Sequence, residues 1–110
     1  MNWPNYTTIF DLCEKYRNIF TCIAGQNDGA TRSDRDKLNK TMIDVLNEGL
    51  KKYSDLKNKL LYGTDFFIHP QFIDVSDYTV IVDSLNLTKQ EKQNIFENNI
   101  LKAYPRINDF

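Results

Sequence analysis

The stretch Leu60-Leu61-Tyr62-Gly63-Thr64-Asp65-Phe66-Phe67 decides how this chain reads. It opens as a short apolar run of the length of a buried strand. It then meets a glycine that permits close backbone approach, and it closes on a single carboxylate. In α/β proteins, ligands and chemistry gather at the carboxyl ends of strands. A strand from Lys59 to about Asp65 therefore puts Asp65 where a catalytic or metal-binding group belongs, and Asp65 is the one strong candidate of that kind in the chain.

Upstream, Leu38, Met42, Val45, Leu46, Gly49 and Leu50 form one helical stripe with Ile43 on its flank. Ser33 is a good cap, and Asp34 favours the positive end of the helix dipole. The spacing predicts a helix from Ser33 to about Tyr53, with Lys51 and Lys52 suited to its C-terminal end. Before it, Ile19-Phe20-Thr21-Cys22-Ile23-Ala24 is β-branched and aromatic, which predicts a first strand. Earlier still, Ile9, Phe10, Leu12, Cys13 and Tyr16 recur at helical spacing behind a cap at Asn5 or Thr7. Helix, strand, helix, strand is the order of βαβ units with a parallel sheet, so the fold class is α/β.

Downstream, Phe66 to Ile73 is aromatic and apolar with Pro70 inside it, which predicts an extended covering loop. A helix follows from about Ser76 to Leu85, with Tyr78, Ile81, Val82 and Leu85 inward. Thr88-Lys89-Gln90-Glu91 has the form of a capping box, and it starts a last helix whose face carries Ile95, Phe96, Asn99, Ile100 and Tyr104. Pro105 stops that helix.

The totals exclude several classes of function. With 110 residues, 41% of them hydrophobic, the chain makes one domain or part of one and is not disordered. Its 14 basic against 15 acidic residues give no footprint for a nucleic acid or an anionic membrane surface. No apolar run approaches the roughly 20 residues that cross a bilayer. The first residues do not have the form of a secretion signal, so a cytoplasmic location is expected. Cys13 and Cys22 stand apart with only His69 to join them, which favours two reduced, largely buried thiols over a zinc site.

The C-terminal half also carries a family resemblance. The run Gly63-Thr64-Asp65-Phe66, a loop containing proline, then Leu85-Asn86-Leu87-Thr88-Lys89-Gln90-Glu91-Lys92 and Ile95-Phe96-Glu97-Asn98-Asn99 resembles the end of the metal-dependent amidohydrolases, in their amidohydrolase-related branch. The likeness covers about Leu60 to Tyr104. The segment from Ile9 to Ala24 looks, less specifically, like the preceding barrel unit. The resemblance implies a partial (β/α)8 barrel, its last two βα units, with residues 1–110 forming one partial domain. It also implies a role for Asp65. In that family the aspartate after the eighth strand binds a divalent metal, usually zinc, or takes a proton from the metal-bound water.

The chain departs from the family in ways that limit what it does alone. Such barrels take about 250 residues and eight strands, and their other metal ligands are histidines, including a His-x-His pair on the first strand. Here there is a single histidine, His69, which matches no ligand of the family. The expectation is a C-terminal fragment or subunit of a metal-dependent hydrolase or decarboxylase of small organic molecules, inactive alone. It would hold zinc only when a partner chain supplies the missing strands. The alternative is a non-enzymatic interaction module derived from that fold, self-associating or docking to another chain.

Overall fold

The computed structural model describes residues 6–23, 32–63 and 75–106. Helix α1 (Tyr6–Lys15) leads to strand β1 (Thr21–Ile23), helix α2 (Arg32–Lys52), one turn of 3-10 helix (Leu56–Asn58) and strand β2 (Leu60–Tyr62). Helix α3 (Val75–Asp83) follows. The chain then closes with α4 (Lys89–Gln93), a π-helical stretch (Asn94–Asn98) and α5 (Asn99–Ala103). The helix–strand–helix–strand order is as expected, and among the described residues the architecture is mixed α/β, mostly helical, around a small parallel sheet. Thr21 to Ile23 pair with Leu60 to Tyr62; Ile19 and Phe20 of the expected first strand and Lys59 of the second precede the paired residues, and Ala24, Thr64 and Asp65 lie outside the described residues.

Register fixes which residues share a face. Thr21 stands beside Leu60, Cys22 beside Leu61 and Ile23 beside Tyr62. Successive side chains alternate across a strand, so Leu60 and Ile23 lie on one face and Cys22 and Leu61 on the other. Leu60 and Ile23 are fully buried. They belong to a core that also holds Phe10, Met42, Leu46, Leu56, Tyr78, Ile81, Val82 and Ile95. Tyr62 extends this side by a tilted stack on Phe96, with ring centroids 4.9 Å apart.

The expected stripes explain most of this packing. In α3, Tyr78, Ile81 and Val82 are buried, and so is Leu85 just beyond it. In α2, Met42, Leu46 and Gly49 are the buried members of the expected stripe. Gly49 is there because α1 comes too close for a side chain. A Cβ at this position would sit 2.6 Å from the Phe10 ring. The α1 stripe is only half inward: Phe10 and Cys13 are buried, whereas Leu12 and Tyr16 are 38% and 44% exposed. A ten-residue helix lying against α2 and the 3-10 turn has only a narrow face to bury.

Polar ties hold α1 to the segment that follows α2. The Tyr53 hydroxyl donates to Asp11, Ser54 Oγ donates to Glu14 Oε1, and the Asp55 N–H donates to Glu14 Oε2. The hydrogen bond to Asp11, which the phenol would lose on ionising, holds Tyr53 above its ordinary range, and burial adds to the effect. At the other end, the expected capping box forms. Thr88 Oγ1 accepts from the Glu91 N–H while the Glu91 carboxylate accepts from the Thr88 N–H. Glu91 also pairs with Lys57 at 2.8 Å. Lys57 first, and then the Thr88 N–H, lower the Glu91 carboxyl to about 2.

Candidate functional site

Asp65, the expected catalytic and metal-binding residue, and His69 lie outside the described residues, as does the expected loop from Phe66 to Ile73. Just after β2, the Gly63 N–H donates to the Ile23 carbonyl at 3.2 Å. At the opposite, N-terminal end of the strands, polar groups converge.

Lys59 immediately precedes β2 and is only 4% exposed. Its ammonium donates to the carbonyls of Tyr16 (2.7 Å), Arg17 (2.9 Å) and Ile19 (3.1 Å). Those carbonyls follow the last turn of α1, where a helix presents unpaired acceptors and the negative end of its dipole. All three donors of the ammonium are used, and it also lies 5.0 Å from the centre of the Phe20 ring. Lys59 is thus a built-in cap that fastens the end of α1 to the start of β2. It also faces Cys13, whose thiol is raised by burial and partly brought back by the lysine charge.

Asn99 does similar work from α5. It is fully buried, and its Nδ2 donates to the carbonyls of Lys57 (3.0 Å) and Leu60 (2.9 Å). In a parallel ladder, consecutive backbone groups point to alternate edges. The Lys59 carbonyl faces β1, where it accepts from the Thr21 N–H, so the Leu60 carbonyl faces away. Asn99 therefore occupies the outer edge of β2 at the point where a further strand would hydrogen-bond. The π-helical stretch leads directly into it, with the Asn99 N–H bonded to the Asn94 carbonyl five residues back. Asn99 Oδ1 is buried with no hydrogen-bond partner among the described residues.

Neither residue stood out in the sequence as functional. Lys59 sits at a strand start with no signal of burial. Asn99 did carry one, as an amide on the otherwise apolar stripe of Ile95, Phe96 and Ile100. Tyr104, expected on that same face, is 61% exposed, because α5 ends at Ala103 before the side chain can turn inward.

Two open clefts flank these groups. The first, about 580 Å³, lies at the N-terminal end of the strands and is bordered by Arg17, Phe20, Asp55, Lys59, Lys102 and Pro105. The second, about 470 Å³, runs along the sheet face bearing Cys22 and Leu61, and its walls include Ile19, Phe20 and Tyr104. Cys13 is buried as expected, but Cys22 is exposed on this face, a correction to the expectation of two largely buried thiols. The strand's alternation is the reason: Ile23 takes the inward position and leaves Cys22 outward.

The described residues do not fit a resident metal. Among them, no group of three or more His, Cys, Asp or Glu side chains gathers as a ligand set. Cys13 is committed to the core, and Asp11 and Glu14 are engaged with Tyr53, Ser54 and Asp55. No helix among the described residues is long and apolar enough to cross a membrane. Compared with known families, curated proteins and solved structures, the chain matches none.

Proposed function

We propose that this chain is a protein-interaction module that associates with a second copy of itself through the Cys22–Leu61 face of its sheet. The observation that carries the proposal is the open cleft on that face. Its lining residues are Asn18, Ile19, Phe20, Cys22, Leu61, Ala103 and Tyr104, and none of them is charged. Parallel sheets are normally covered on both faces, and two short strands alone make a poor sheet. An uncharged strip carrying Ile19, Phe20, Leu61 and Tyr104 can meet another of the same kind across a two-fold axis with no charge to bury. The formal net charge of −1 puts little long-range repulsion between copies.

The test is the mass of the chain in solution, by sedimentation, for the wild type and for Leu61→Lys. A dimer that the lysine converts to a folded monomer is the expected result. A wild-type chain that stays monomeric at concentrations of about 100 μM, in the range where weak specific interfaces form, removes the proposal.

A second reading is favoured by the chain order. The parallel β1–α2–β2 unit and, after it, a capped terminal helix are what supports the amidohydrolase resemblance. Here the chain is a fragment or subunit of such an enzyme. Asp65 meets a divalent metal, zinc foremost, only after another chain brings the histidines, and the partial barrel is completed in that complex. Asn99 on the outer edge of β2 weighs against closure on that side. A zinc titration followed by circular dichroism separates the readings. A stoichiometric response lost in Asp65→Ala supports the enzyme lineage, and indifference to zinc removes Asp65 as a ligand in the chain alone.

A further inference from the structure

The geometry points to a binding site for a small organic anion, an acidic group carried on a flat apolar body, in the cleft at the N-terminal end of β1 and β2. The cleft shares Asn18, Phe20 and Ala103 with the Leu61 strip, but Arg17, Lys59 and Lys102 line the cleft and not the strip.

Three observations carry it. At about 580 Å³, the cleft falls within the range of small-molecule sites. Its charge is lopsided. Arg17, Lys59 and Lys102 line it against one carboxylate, Asp55, which already accepts from Asn58 Nδ2 at 2.9 Å. The three cations are not equivalent. Lys59 spends all its donors on the carbonyls after α1, whereas Arg17 and Lys102 have no ion-pair partner among the described residues. Two cations are thus left to face one opening, where an anion can bridge them. The same cleft has an apolar part, made by Phe20, Ala103 and Pro105. Inorganic phosphate alone would leave that part wet. A carboxylate, sulfonate or phosphate ester with a planar body would cover it and leave its acidic group at the rim.

The capping role of Lys59 also makes the site preformed. The end of α1, the Phe20 ring and the start of β2 are tied together by one buried ammonium. This part of the lining is therefore fixed before any ligand arrives, which lowers the ordering cost of binding.

The test compares two dyes of nearly the same shape on the intact chain: anilinonaphthalene sulfonate, which is anionic, and phenylnaphthylamine, which is neutral. Both are titrated by fluorescence against the wild type, Arg17→Glu/Lys102→Glu and Phe20→Ala, with circular dichroism confirming the fold. Arg17 and Lys102 are exposed, so reversing their charges leaves the core untouched. The charge-reversed variant is expected to lose about tenfold in affinity for the sulfonate dye, with a smaller loss at high salt, because two exposed attractions become repulsions. Its affinity for the neutral dye should stay within about twofold, since apolar contact is unchanged. Phe20→Ala should weaken both dyes. The proposal is overturned if charge reversal leaves sulfonate binding unchanged, or if it weakens the two dyes alike.

Discussion

On one face of the β1–β2 sheet, Ile23 and Leu60 are sealed within a core shared by the helices and the 3-10 turn. On the other face, in the same register, Cys22 and Leu61 border an open cleft. Backbone geometry is the same on both sides, so the difference lies in what the rest of the chain supplies. The helices provide enough apolar side chains to cover one side of three-residue strands, and the polar anchors Lys59 and Asn99 fix the strand ends. In this account the covered face is the fold, and the open face is where the chain meets something else.

Substitutions on opposite faces should therefore differ in kind. Leu60→Ala removes a fully buried side chain, and urea unfolding should show a loss of about 3 kcal/mol, in the middle of the range for such cavities. Leu61→Lys, one residue later, should cost about 1 kcal/mol or less, as changes at partly exposed positions do. Equal losses at the two positions would erase the distinction between the faces.

The anchors sharpen the comparison at the strand ends. Lys59→Met keeps the apolar stem but leaves the Tyr16, Arg17 and Ile19 carbonyls without their shared donor. A loss of about 2 to 3 kcal/mol is expected, the size seen when buried groups lose charged hydrogen bonds. Gly49→Ala pushes a methyl group into the Phe10 ring, and the crowding should cost about 1 to 2 kcal/mol. Both are read from the same unfolding curves, and a neutral result at either would show that α1 is not seated where the structure puts it.

The smallest effect is a pH dependence far from the sheet. Glu91 titrates at about 2 in the folded chain against an ordinary 4.5. A carboxyl lowered by folding stabilises the native state above its unfolded value and loses that contribution as pH falls toward the folded one. Stability should decline between pH 4.5 and about 2, and Glu91→Gln should flatten that part of the profile. If the glutamine variant retains the whole decline, other carboxylates carry it.

Periodicity made the helices and the order of elements legible in the sequence. Met42, Leu46, Tyr78, Ile81 and Val82 repeat at a spacing that only a helix buries on one side, and the Thr88–Glu91 pair is a local signature that needs no tertiary context. The strands were legible in place, but their first residues were not, because apolar runs such as Ile19-Phe20 mark burial while pairing depends on the partner strand. Lys59 was not legible at all, since a lysine earns burial only from acceptors about forty residues away in sequence. Asn99 was visible as an irregularity in an apolar stripe, but its partners were not. The exposure of Cys22 follows from which face the helices cover, and that is decided by packing beyond the strand itself.

Sedimentation of the wild type beside Leu61→Lys asks whether the open face is used while the covered face stays intact. A wild-type dimer and a Leu61→Lys monomer, with matching circular dichroism spectra, are the expected result. A Leu61→Lys chain that still dimerises, or a wild type that never does, would contradict it.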